Sequence, residues 1–71
     1  MSELATELRV YLRDGRSVCE RYNQPEMAEF VRENMLERMK HAMPLHCFDG
    51  ESIAIPSAAV ERIEIVRPYT A

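Results

Sequence analysis

The chain has 71 residues, of which 46% are hydrophobic and 30% charged, with two glycines, four prolines and a net charge of -3. That composition fits one folded domain over residues 1–71 and excludes collagen-like repeats and low-complexity disorder. No apolar run approaches the roughly 20 residues of a membrane-spanning helix. The Met-Ser-Glu start, with Glu3 and Glu7, also lacks the basic and apolar regions of a signal peptide, so a cytoplasmic protein without membrane contact is expected.

Residues 8–22 are predicted to form a β-hairpin, because Asp14-Gly15 supplies the positive φ angles of a two-residue turn. Counting outward from that turn sets Arg13 against Arg16, Leu12 against Ser17, Tyr11 against Val18 and Val10 against Cys19. Strand alternation then places Leu8, Val10, Leu12 and Cys19 on the core face. Arg9, Tyr11, Arg13, Arg16, Val18 and Tyr22 take the other face, where Glu20 is expected to pair with Arg9 across the hairpin. Val10-Tyr11-Leu12-Arg13-Asp14-Gly15-Arg16 resembles the opening hairpin of Sm-like RNA-binding proteins. That family, however, places its helix before five strands, whereas here a helix interrupts them, so the likeness ends with the hairpin.

A helix is predicted over residues 24–41. Asn23 followed three residues later by Glu26 has the spacing of a capping box, and Pro25 suits the first turn. Met27, Phe30, Val31, Met35, Met39 and Met43 recur at helical spacing as an apolar stripe. Glu26 and Glu29 lie early while Arg38 and Lys40 lie late, which suits the helix dipole, and Pro44 closes the segment. Leu36 lies off this stripe and widens the apolar sector beyond what covering one sheet requires.

Asp49-Gly50 repeats the hairpin signal between residues 45–48 and 51–55. Pro56 stops that strand, residues 57–60 fit one short turn, and residues 62–66 alternate with Ile63 and Ile65 on one face. Pro68 and a small polar tail follow. The predicted fold class is α+β: hairpin, helix, hairpin and strand, with one amphipathic helix on an antiparallel sheet of four to five strands.

The residues that could do chemistry are sparse. Cys47 adjoins His46, but neighbours on a strand face opposite ways and cannot form a thiol–base pair. Cys19 could meet His41 or His46 only through the tertiary fold. Cys19, His41, His46 and Cys47 lack the short spacings of a zinc site, and both glycines belong to turns rather than a phosphate loop. Two cysteines in a cytoplasmic chain are expected to be small buried hydrophobes rather than a disulfide. No enzyme activity, metal or cofactor is expected.

A chain this short buries only roughly 60% of its unfolded surface, so self-association is the expected source of added stability. The function these residues point to is a small non-enzymatic protein-interaction or regulatory accessory module, acting as a homodimer. Met35, Leu36 and Met39 would make its apolar contact. Arg9, Tyr11, Arg13 and Arg16 would form a face for a polyanion or an acidic partner, with the arginines steering the encounter. The alternative is a single-stranded nucleic-acid binder in which Tyr11 stacks bases and the same arginines neutralise phosphate.

Overall fold

The computed structural model describes residues 6–66. The N-terminal start discussed above, and Pro68 with the tail, lie outside them. The elements are β1 (Thr6–Leu12), β2 (Ser17–Tyr22), α1 (Pro25–Lys40), β3 (Leu45–Phe48), β4 (Ser52–Ile55), a single 3-10 turn (Ser57–Ala59) and β5 (Val60–Val66). The α+β class holds, but the strands form two antiparallel sheets rather than one. A three-stranded sheet has the order β2-β1-β5, and β3 pairs only with β4. The last strand thus pairs within its own chain, against β1.

The first hairpin has a three-residue loop, not two. The Leu12 N–H donates to the Arg16 carbonyl at 2.8 Å, and the Gly15 N–H to the Leu12 carbonyl at 3.1 Å. Gly15 has φ +96. This is a type I turn followed by a glycine bulge, a conformation that Asp-Gly serves as readily as the two-residue turn. One extra loop residue moves the register by one, so Val10 faces Val18, Arg9 faces Cys19 and Leu8 faces Glu20. Because side chains alternate, Val18 enters the core, Glu20 and Tyr22 turn to the helix side, and Cys19 moves to the opposite face. The expected Arg9–Glu20 pair is therefore absent. The second hairpin corrects the same way, with Phe48 opposite Ser52 across residues 49–51.

Helix α1 begins with Pro25 at its first turn and Gln24 as N-cap, and no side chain caps it; the expected Asn23–Glu26 box does not form. Its inward positions are Ala28 and Met35, with Val31, Leu36 and Met39 packed beside them. This stripe is turned slightly from the expected one. Ala28 allows close approach to the sheet, while the larger Met27 and Phe30 stay on the flank, 48% and 65% exposed. At the other end the Met43 N–H donates to the Arg38 carbonyl and the Ala42 N–H to the Met39 carbonyl. These bonds make a Schellman cap with Ala42 in the left-handed position at φ 56, and Met43 lies past the helix end.

One core joins all parts. Leu8, Val10, Leu12 and Val18 from the first hairpin meet Met35, then Leu45, Cys47 and Ile55 from the second hairpin, with Val60 and Ile63 from β5. Leu8, Leu45 and Val60 are fully buried. Alternation along β3 sends Leu45 and Cys47 inward and His46 and Phe48 outward, as expected for neighbours on a strand.

Two outcomes test this geometry. Val18→Asp is expected to abolish the folded circular-dichroism signal, because it buries an unpaired carboxylate, whereas Cys19→Asp should leave it intact; the reverse result would restore the two-residue turn. Ala42→Gly is expected to raise unfolding stability by about 1 kcal/mol, since it relieves a left-handed alanine, read as a higher urea midpoint at unchanged slope.

Candidate functional site

The outer face of the three-stranded sheet carries Glu7, Arg9 and Tyr11 from β1, Cys19 and Arg21 from β2, and Arg62 and Glu64 from β5. Of the expected cationic face, only Arg9 and Tyr11 sit here. Arg13 and Arg16 belong to the loop, where Arg13 Nε donates to the Ala58 carbonyl at 3.0 Å and Arg16 pairs with Asp14 at 2.8 Å. Arg21 and Arg62 join the face instead. The shifted register brings Arg21 in, and alignment of β5 beside β1 supplies Arg62.

The charges on this face satisfy one another. Glu7 accepts from Arg9 at 2.5 Å and from Arg21 at 3.2 Å, and Arg62 reaches Glu64 at 2.7 Å. The Arg62 guanidinium lies 3.9 Å from the centroid of the Tyr11 ring, a cation–π contact that occupies the ring face a base would need. Arg9 also donates to the Tyr11 hydroxyl at 3.3 Å, and its Nε is buried with no hydrogen-bond partner. The Arg9 side chain first, then Arg21, holds the Glu7 carboxyl below the usual glutamate range against the opposing effect of burial. Asp14 and Glu64 are likewise lowered, chiefly by hydrogen bonds from Arg16 and Arg62. The result is a knitted polar surface with little free positive charge.

The helix side of β2 holds a different device. Glu20 accepts the Tyr22 hydroxyl at 2.7 Å and the Phe48 backbone N–H at 2.6 Å. One carboxylate therefore ties the first hairpin to the end of β3. Burial, and secondarily the Glu20 bond, raises the Tyr22 phenol. The same neighbourhood pushes the buried Cys47 thiol up to about 11, with burial the leading cause, so at neutral pH it is a protonated core side chain. Cys19 and Cys47 are both free. Among the described residues no three His, Cys, Asp or Glu side chains converge as a metal site, and no helix is long and apolar enough to cross a membrane.

Two shallow concavities meet at His46. An open groove of about 200 Å³ is lined by Phe30, Val31, Asn34, Met35, Arg38 and His46. A second hollow of about 360 Å³ shares His46 and includes Glu20, Phe48 and Ile53. The two Phe rings are 65% and 61% exposed. Alternation on β3 turns His46 and Phe48 outward, and helical spacing sets Phe30, Asn34 and Arg38 in one line along α1. Arg38 Nε donates to the Pro44 carbonyl at 2.9 Å, which fixes that side chain near the helix end.

The expected apolar contact residues sit deeper. Met35 is 4% exposed and belongs to the core, while Leu36 and Met39 are partly buried against it. The exposed apolar edge falls to Met27, Phe30, Met43 and Phe48. Phe48 was legible in the in–out alternation of Leu45-His46-Cys47-Phe48; Glu20 was not, because its face depends on the loop length.

The lowered carboxyls set an acid dependence. A group held below its unfolded pKa stabilises the fold above that unfolded value, about 4.3 for glutamate. That contribution is lost as pH falls through the lower folded value. Glu7, with a side chain only 13% exposed, is the least solvent-screened of these groups. Glu7→Gln is therefore expected to lower stability at pH 7 and to flatten the loss of stability as pH falls below about 4.3, measured by urea titrations at successively lower pH. An unchanged acid slope would contradict the assignment.

The chain matches no family model, no curated protein and no solved structure.

Proposed function

We propose that this chain is a small non-enzymatic protein-interaction module, working as a homodimer, that grips a partner protein in the open groove between α1 and β3. The observation that carries the reading is the pair of exposed rings, Phe30 and Phe48, at adjoining concavities that share His46. Exposed aromatic side chains around a shallow pocket are where interfaces concentrate their binding energy. Fully burying one such ring contributes about 1.5–3 kcal/mol.

The groove also defines what fits. Its volume of about 200 Å³ accommodates a side chain or two. Its floor is apolar, from Val31 and Met35, and Arg38 stands at its end. The partner is accordingly a short segment with an apolar side chain beside a carboxylate, the side chain entering near Phe30 and the acid meeting Arg38. This reading moves the contact from Met35, Leu36 and Met39 to the neighbouring exposed positions. It also moves acidic recognition from Arg9 and Arg16, which pair with Glu7 and Asp14, and from Arg13, which does not line the groove, to Arg38, which does. The nucleic-acid alternative has less support, because the Tyr11 ring is covered by Arg62 and the nearby arginines have acidic partners.

Selection of displayed peptides against the protein tests the reading. Selected sequences are expected to pair an aromatic or aliphatic residue with an acidic one. Their affinity should fall tenfold or more for Phe30→Ser and for Arg38→Ala, while Arg16→Ala binds as the parent does. Peptides equally tolerant of all three substitutions would contradict it. So would tight, salt-sensitive binding of a single-stranded oligonucleotide that is lost in Tyr11→Ala.

A further inference from the structure

Strand β5 has β1 on one side and, among the described residues, no strand on the other. The direction of its backbone groups follows from the first hairpin. The Leu12 N–H points to β2, where it meets the Arg16 carbonyl, so residues 8 and 10 also turn their backbone groups to β2. Residues 7, 9 and 11 turn theirs to β5. Their partners Val66, Glu64 and Arg62 are therefore the β5 residues engaged with β1, and Ile63 and Ile65 present their N–H and C=O groups to the open edge. One contact agrees directly: Arg32, from α1, donates its Nε to the Ile63 carbonyl at 3.3 Å. An open row of this kind invites another strand.

The side chains beside that row select the strand. Arg62 and Glu64 flank Ile63 symmetrically, and both project to the outer face, where they pair with each other in the single chain and exchange partners when two copies meet. If a second β5 pairs antiparallel about a two-fold axis at Ile63, each Ile63 exchanges two backbone hydrogen bonds with its counterpart. Each Arg62 then lies opposite a Glu64 of the other copy. Centring the pair on Arg62 opposes two arginines, and centring it on Glu64 opposes two glutamates, both of which are destabilising. Only the register at Ile63 is charge-complementary to itself. The shorter β4 edge, Ser52–Ile55, carries no charged residue with which to set a register.

We infer that a second copy of this chain docks along β5 in that register, making a continuous six-stranded sheet, β2-β1-β5 joined to its two-fold mate, with both helices on one face. The inference rests on the homodimer reading above and supplies its surface. Arg32 need not leave, because a carbonyl oxygen has two lone pairs and can accept from Arg32 and from the second strand together.

The experiment is a charge exchange, with folding checked by circular dichroism. Arg62→Glu places glutamates at 62 and 64 of both copies, and Glu64→Arg places arginines at both. Each single variant is expected to dimerise ~10-fold or more weakly than the parent, measured by light scattering over a concentration series. An equimolar mixture of the two variants is expected to regain the parent affinity as a heterodimer, since every glutamate then faces an arginine. A parent chain that stays monomeric at high micromolar concentration overturns both the homodimer reading and this surface. A parent dimer unaffected by either single variant, or variants that weaken it but fail to recombine on mixing, overturns the β5 surface and leaves the homodimer standing.

Discussion

Gly15, held at φ +96 in a three-residue loop, sets the register on which the rest of the molecule depends. A β-strand has a side-chain period of two, so moving the pairing by one residue exchanges the two faces of the whole strand. With the loop as it is, Val18 lies among Leu8, Val10 and Leu12 and helps to cover Met35 of the helix. Glu20 and Tyr22 follow it to the helix side, and Cys19 and Arg21 join Arg9 and Glu7 on the outer face. The backbone direction at Leu12 also fixes which residues of β1 bond to β5, and hence which of the β5 groups are left at the edge.

From that register two surfaces of opposite character arise. On the outer face, alternating acids and bases from three neighbouring strands lie within reach of one another and neutralise locally, and Arg62 covers Tyr11. The more exposed of these pairs, such as Arg62 with Glu64, contribute little stability each, but together the pairs leave few cations for a polyanion. On the helix side, Glu20 takes the Phe48 N–H and so draws the second hairpin against the first. This leaves Leu45 and Cys47 sealed in the core, while His46 and Phe48 remain outside beside the flank of α1. The exposure of Phe48 therefore follows from how the second hairpin is anchored, and with Phe30 on the flank of α1 it gives the groove its capacity to hold a partner.

Much of this architecture was legible in the residues themselves. The two Asp-Gly phrases marked both hairpins, helical spacing with Pro25 and Pro44 bracketed α1, and the alternation of Ile63 and Ile65 marked the last strand. Three things were not. Asp-Gly serves two-residue and three-residue loops alike, because a glycine with positive φ is common to both; counting from a two-residue turn therefore puts Val18, Cys19 and Glu20 on the wrong faces. The helical stripe was weighted by large apolar side chains, while packing against the sheet selected the small Ala28 and rotated Phe30 outward. Division of five strands into a three-stranded and a two-stranded sheet depends on contacts such as Glu20 to Phe48, between residues 28 positions apart, which no local pattern encodes.

The register of the first hairpin is the claim from which both surfaces follow, and proton NMR reads it directly. Residues 9 and 19, and 11 and 17, lie opposite one another as non-hydrogen-bonded pairs, whose Cα atoms approach to about 4.5 Å. Strong Hα–Hα Overhauser effects are expected between Arg9 and Cys19 and between Tyr11 and Ser17. If the chain instead shows such effects between Val10 and Cys19 and between Leu12 and Ser17, the loop has two residues. Val18 then leaves the core, Glu20 loses Phe48, and the account fails at its base.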